Sequence, residues 1–142
     1  MSERTANVTW SGSLIEGGGR IDSVGSGALD PLDVTWASRA EDSDGRTSPE
    51  ELIAAAHASC FSMALSHGLA QAGTPADRLE SSATVTFVPG TGITKIALTV
   101  RGSVPGIDEA AFAEAAQAAR ENCPVSKALA SVPEITLDAS LS

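Results

Sequence analysis

Hydrophobic and polar positions alternate through the first third of the chain. Ala6–Trp10, Arg20–Val24 and Asp33–Arg39 set Val, Ile, Thr and Trp against polar neighbours. That period of two predicts short, half-buried antiparallel strands. Gly17-Gly18-Gly19 supplies a turn between the first two, and the polar stretch from Ala40 to Thr47, with Gly45 inside it, reads as a loop.

The pattern then changes period. Ser48-Pro49-Glu50-Glu51 is a helix start: Ser48 suits the N-cap, Pro49 the first helical position, and Glu51 the reciprocal half of a capping box. The helix is expected to run to about Gly73. Its interior, Leu52–Leu69, is Ala-rich and apolar on most sides with only Ser and His as polar interruptions. Such a pattern predicts a helix buried nearly all round, covered by sheet or by a second subunit.

Alternation returns after Gly73-Thr74-Pro75. Leu79–Val88 and Ile93–Val104 flank Pro89-Gly90-Thr91-Gly92 and predict a hairpin. Pro105-Gly106 ends it, and Asp108 caps a second helix from Glu109 to about Asn122 with Phe112, Ala115, Ala116 and Ala119 on its apolar face, continued by Cys123. Pro124 stops that helix and opens a short one over Val125–Ala130. Glu134–Leu141 reads as a closing strand. The order of elements is α+β: a mainly antiparallel sheet wrapped on a long central helix and a second helix, in one domain spanning residues 1–142.

Composition narrows the function. With 42% hydrophobic residues but only three Phe, two Trp and no Tyr, the core is aliphatic. A formal net charge of −9 and the absence of any Lys/Arg cluster give the surface the wrong sign for nucleic acid or anionic lipid. No stretch reaches 18 uninterrupted apolar residues, so no membrane span is expected, and a cytoplasmic location is expected. In a reducing cytosol the two cysteines, Cys60 and Cys123, are either packing residues or chemistry.

Local context treats the two thiols differently. Cys60 lies mid-helix among apolar neighbours, where desolvation disfavours the thiolate unless a cation meets it; Arg39 and Arg20 are the candidates. Cys123 occupies the N-cap of the short helix, where backbone N–H groups favour negative charge. Local chemistry alone therefore names Cys123 as the activated thiol.

Thr47–Ser66, with His57-Ala58-Ser59-Cys60-Phe61-Ser62-Met63 inside it, resembles the first signature of the OsmC/Ohr family of organic hydroperoxide reductases. Asn122-Cys123-Pro124-Val125-Ser126-Lys127-Ala128-Leu129 resembles the second, and the likeness extends through Thr91–Ile96 and Val104–Asp108. His57-Ala58 before the first thiol and Phe61-Ser62-Met63 after it are similar to the OsmC branch. The resemblance implies a peroxidase in which Cys60 attacks the distal peroxide oxygen and Cys123 resolves the resulting sulfenic acid as a disulfide. It implies an activating Arg, Arg39 in the OsmC branch, whereas the Ohr branch places its own in the Gly-rich stretch that here ends at Arg20. Glu50, ten residues before Cys60, matches the carboxylate that holds the Arg. An acid in the first helical turn is also favoured by the helix dipole alone.

The apolar surroundings of Cys60 favour alkyl and lipid hydroperoxides over hydrogen peroxide, and the thiol chemistry requires no metal or organic cofactor. The resemblance further implies an external dithiol reductant such as a lipoyl group and an intertwined homodimer. Two other readings stand beside it. One is a non-catalytic dimeric module that binds an apolar ligand. The other is a Cys–His hydrolase built on His57 and Cys60, which lacks an orienting carboxylate and an oxyanion motif. Zinc held by His57, Cys60 and His67 lacks a fourth ligand at ordinary spacing.

Overall fold

The computed structural model describes residues 1–142, which form two compact units, Met1–Leu52 and Ile53–Ser142. In the first unit β1 (Ala6–Ser11), β2 (Gly18–Val24) and β3 (Leu32–Val34) form an antiparallel sheet in the order β1-β2-β3. Trp10 pairs with Gly19 across that sheet, and a Cβ on Gly19 would stand 2.6 Å from the Trp10 ring. The indole lies where only glycine leaves room. Every residue of β1 is exposed, so its alternation does not translate into a half-buried strand within this chain.

One expected strand is a helix. Asp33–Arg39 reads as extended from its pattern, but β3 stops at Val34 and α1 occupies Trp36–Ala40. Thr35 and Ser38 cause the break by capping each other. The Thr35 hydroxyl accepts from the Ser38 N–H at 3.0 Å, and the Ser38 hydroxyl accepts from the Thr35 N–H at 2.9 Å.

The long helix α2 (Pro49–Gln71) begins as its caps predict, with the Ser48 hydroxyl accepting from the Glu51 N–H at 3.1 Å. It ends where Gly73 turns left-handed at φ +83 and the Thr74 N–H donates to the Leu69 carbonyl at 2.9 Å. Burial nearly all round is not what the single chain shows. Beyond the first turn the buried residues form one stripe of His57, Phe61, Leu65 and Leu69, while Ala55, Ala56, Ser59 and Met63 on other faces are exposed. By length and its hydropathy of 1.3 this helix could cross a membrane, but its stripe is built into the protein's own core.

In the second unit β4 (Arg78–Val88) and β5 (Gly92–Ser103) form the expected hairpin, and β6 (Glu134–Leu141) adds beside β5. The β5–β6 pairing is parallel, which requires a crossover. α3 (Glu109–Asn122) and α4 (Pro124–Ala128) provide it. Asp108 caps α3 by accepting from the Ala111 N–H at 2.8 Å. Ile96, Leu98 and Val100 of β5, Phe61, Leu65 and Leu69 of α2, and Phe112, Ala116 and Ala119 of α3 close one core, mainly aliphatic with Phe61 and Phe112 as its largest side chains. That core fixes the side of α2 carrying His57 against the α3–α4 junction.

Candidate active site

Within the first unit, Ser38 also donates to the Thr47 carbonyl at 2.9 Å, tying α1 to the residue just before the α2 cap. Arg39, next in line, donates to one oxygen of Glu50 from Nε at 2.9 Å and from Nη2 at 2.8 Å. Glu50 is buried and its second oxygen, Oε2, has no hydrogen-bond partner. The pairing is charge-assisted but converges on a single oxygen, where a fork-to-fork pair would use both. Arg20 is committed elsewhere: its Nε lies 3.0 Å from Asp33 Oδ1, directly across the β2–β3 register.

Within the second unit, Cys123 is fully buried at the joint of two helices. It ends α3 by donating its N–H to the Ala119 carbonyl at 2.9 Å and begins α4 as N-cap, with Pro124 in the first position. Its thiolate is opposed by desolvation but favoured by its neighbours Cys60, Ser126 and Val125. The neighbours win, and the Cys123 thiol sits below its ordinary pKa. Cys60, half-buried on α2, is pushed up by desolvation and then by its contact with Cys123, against a smaller lowering from the Val125 N–H. Within the chain, Cys123 is thus the more acidic thiol.

The imidazole of His57 is fully buried and turns to Ser126, Nε2 lying 2.7 Å from the hydroxyl oxygen. Its Nδ1 is buried without a partner. Burial, and secondarily the Arg120 guanidinium, hold His57 below its usual pKa, so the ring is neutral. Arg120 is anchored by donating to the Ile135 carbonyl from Nε at 3.1 Å and also from Nη2. No three His, Cys, Asp or Glu side chains converge on a metal-sized site.

The predicted site residues therefore form two groups, Arg39 with Glu50 and Cys60 with Cys123. Ser126 was not singled out by the sequence reading, although it stands three residues after Cys123, in the first turn of the short helix that Cys123 caps.

The family model of OsmC-like proteins matches residues 41–138. This chain belongs to the OsmC-like family. Peroxiredoxin OsmC of Escherichia coli strain K12 is 44% identical over 135 residues, covering 93% of this chain and 92% of that protein. Organic hydroperoxide resistance protein OhrB of Bacillus subtilis strain 168 is 30% identical over 124 residues, covering 85% and 90%. The crystal structure of OhrB from Bacillus subtilis superposes with a TM-score of 0.65 at 27% identity, covering 97% and 98% of the two chains. The OsmC-like match takes in Glu50, His57, both cysteines and Ser126; Arg39 lies two residues ahead of it and Arg20 further outside.

Proposed function

We propose that this OsmC-family protein is a thiol-dependent peroxidase that reduces organic hydroperoxides to alcohols. The observation that carries the reading is the pairing of Cys60 and Cys123 as mutually interacting free thiols, in a chain 44% identical to a peroxiredoxin. The Cys60 thiolate attacks the distal peroxide oxygen, the O–O bond breaks, and the alkoxide leaves and is protonated to the alcohol. Cys60 is left as a sulfenic acid. Cys123 then displaces its hydroxyl group as water and closes the disulfide, which limits overoxidation. An external dithiol, of which a lipoyl group is our candidate, restores both thiols. Thiol chemistry supplies both electrons, so no metal or organic cofactor enters the cycle.

Desolvation holds the Cys60 thiol up, so attack at neutral pH requires a cation at its sulfur. We assign that role to Arg39, oriented by Glu50, and assign the active form as a homodimer in the cytoplasm. The uncovered α2 face bearing Ala55, Ala56, Ser59 and Met63 supports the dimer, because a helix of that composition is stabilised by burial.

Turnover of cumene hydroperoxide and hydrogen peroxide with a dithiol, by wild type, Cys60→Ser and Cys123→Ser, tests the cycle. The expected result is turnover by wild type, faster with the organic peroxide, with Cys60→Ser inactive and Cys123→Ser accumulating sulfenic acid. Activity surviving Cys60→Ser would overturn the order of the thiols. A wild type inactive with every dithiol would favour a binding module for an apolar ligand.

A further inference from the structure

The thiol pair has a polar support that the cycle above does not use. His57 is the first member of the buried α2 stripe that continues at Phe61, Leu65 and Leu69. A leucine there would pack without a polar atom to satisfy. The imidazole instead leaves Nδ1 buried and unpaired, which costs free energy that packing alone does not explain. What the imidazole gains is Ser126, at 2.7 Å from Nε2, and Ser126 is the third residue of the short helix that Cys123 caps. Ser126 and Cys60 are in turn the side chains that bear on the Cys123 thiol.

We propose that His57 and Ser126 are positioning residues for the resolving thiol: His57 Nε2–H donates to the Ser126 oxygen, which turns the Ser126 O–H onto Cys123 and readies that sulfur to close the disulfide. The inference rests on the peroxidase reading. A serine hydroxyl has one proton. Given to the imidazole, it would leave Ser126 only able to accept from the Cys123 S–H, favouring the thiol. Given to sulfur, it favours the thiolate. A neutral imidazole has one N–H, and with Nε2 carrying it the orphaned Nδ1 is an unpaired acceptor, more tolerable in a core than an unpaired donor. Burial and then Arg120, the charged group facing the ring, keep His57 in that neutral form.

In the resolving step the Cys123 electron pair forms the S–S bond while the S–O bond of the Cys60 sulfenic acid breaks. Its pair leaves with hydroxide, which takes the proton Cys123 gave up and departs as water. Cys60 sulfur is reduced, Cys123 sulfur is oxidised, and Ser126 and His57 keep their protons.

Two measurements test the proposal, on variants shown by circular dichroism to be folded. The first is the pH titration of Cys123 thiolate absorbance in a Cys60→Ser background. Ser126→Ala and His57→Leu are each expected to raise the apparent pKa by about 1, the effect of removing one hydrogen bond to a charged group. Ser126→Thr and His57→Gln, which keep a hydroxyl and an N–H donor, are expected to restore it. The second, in chains retaining both thiols, follows one equivalent of cumene hydroperoxide. Disulfide closure should slow by about 10-fold in Ser126→Ala and His57→Leu, with dimedone-trappable Cys60 sulfenic acid accumulating and Cys60 oxidation unchanged. The double variant should be no slower than either single one, since His57 acts through Ser126. Unaltered Cys123 titration and closure in folded Ser126→Ala would overturn the proposal, as would a multiplicative loss in the double variant. The titration needs no peroxide. A wild type that fails to oxidise therefore overturns the peroxidase reading and leaves the titration to decide the role of Ser126.

Discussion

Arg39 directs two nitrogens, Nε at 2.9 Å and Nη2 at 2.8 Å, onto a single oxygen of the buried Glu50 carboxylate. A guanidinium held in that way has its orientation set by the carboxylate, and a compact ammonium cannot reproduce the fork. Arg39→Lys and Glu50→Gln are therefore both expected to lower kcat/KM for cumene hydroperoxide by about 10-fold to 100-fold, with the Cys60–Cys123 disulfide still able to form under diamide. Steady-state kinetics beside a thiol count checks this, and unchanged kcat/KM in either variant would remove the pair from the site.

Cys60 carries the opposite bias from its partner: desolvation first, and then contact with Cys123, keep its thiol protonated. If Arg39 is the cation that reverses this, Arg39→Ala should move the pH profile of single-turnover Cys60 oxidation to higher pH and lower its rate at pH 7 by at least about 100-fold. A profile with the wild-type midpoint would assign the cation elsewhere.

His57 has a separate effect on stability. Its pKa is depressed in the folded chain by burial and then by Arg120, so below the ordinary value of about 6.5 the unfolded chain binds the extra proton and the folded one does not. The stabilisation is complete above about pH 6.5 and is lost as pH falls toward the depressed value. Thermal unfolding of wild type and His57→Gln between about pH 7 and 5 should show a steeper fall of Tm in wild type. Parallel curves would mean that His57 does not contribute this slope.

Met63 is 71% exposed on α2 in the single chain. A surface substitution there ordinarily changes stability by less than about 0.5 kcal/mol. In the proposed homodimer, Met63→Lys instead places a charge in an apolar contact. Sedimentation over a range of concentrations is expected to find a wild-type dimer and a shift toward monomer in the variant; a monomeric wild type would contradict the assembly.

Phe112 lies over Gly102 so closely that a Cβ on the glycine would stand 2.6 Å from the ring. Gly102→Ala should destabilise by about 1–3 kcal/mol through overpacking. Phe112→Ala, at a fully buried position, should cost about 3–5 kcal/mol. Denaturant titration measures both, and an unaffected Gly102→Ala would show that the ring moves freely.

Local chemistry made much of this fold legible. Ser48 and Asp108 cap helices because their side chains reach nearby N–H groups, and the Pro89–Gly92 turn and the Glu134–Leu141 strand follow from turn residues and alternation. Trp36–Ala40 was legible in principle: its alternation resembles a strand, but the reciprocal bonds of Thr35 and Ser38 decide for helix. The parallel pairing of β5 with β6 was not, because register between strands joined through two helices depends on where α3 packs.

The candidate site divides in the same way. Cys123 could be read as an activated thiol from Pro124 and the helix it opens, and its pKa is indeed lowered, with Ser126 and Val125 of that helix among the causes. The bond from His57 to Ser126 joins residues 69 apart and exists only because α2 packs against the α3–α4 joint. From the sequence, His57 invited comparison with a hydrolase partner for Cys60, its neighbour on the helix; its ring nitrogen instead meets a hydroxyl on another element.

Because the two thiols already act on each other in the reduced chain, closing the disulfide should alter the outline of the protein very little. A reductase cannot then distinguish spent from active molecules by shape and must read the sulfur–sulfur bond itself. Cys60 is the reachable end of that bond, since Cys123 is fully buried, and the donors around Cys123 also make it the better leaving group. Reductant is therefore expected to enter at Cys60, and a monothiol added to the oxidised wild type should be found by peptide mapping in mixed disulfide with Cys60, leaving Cys123 as the free thiol.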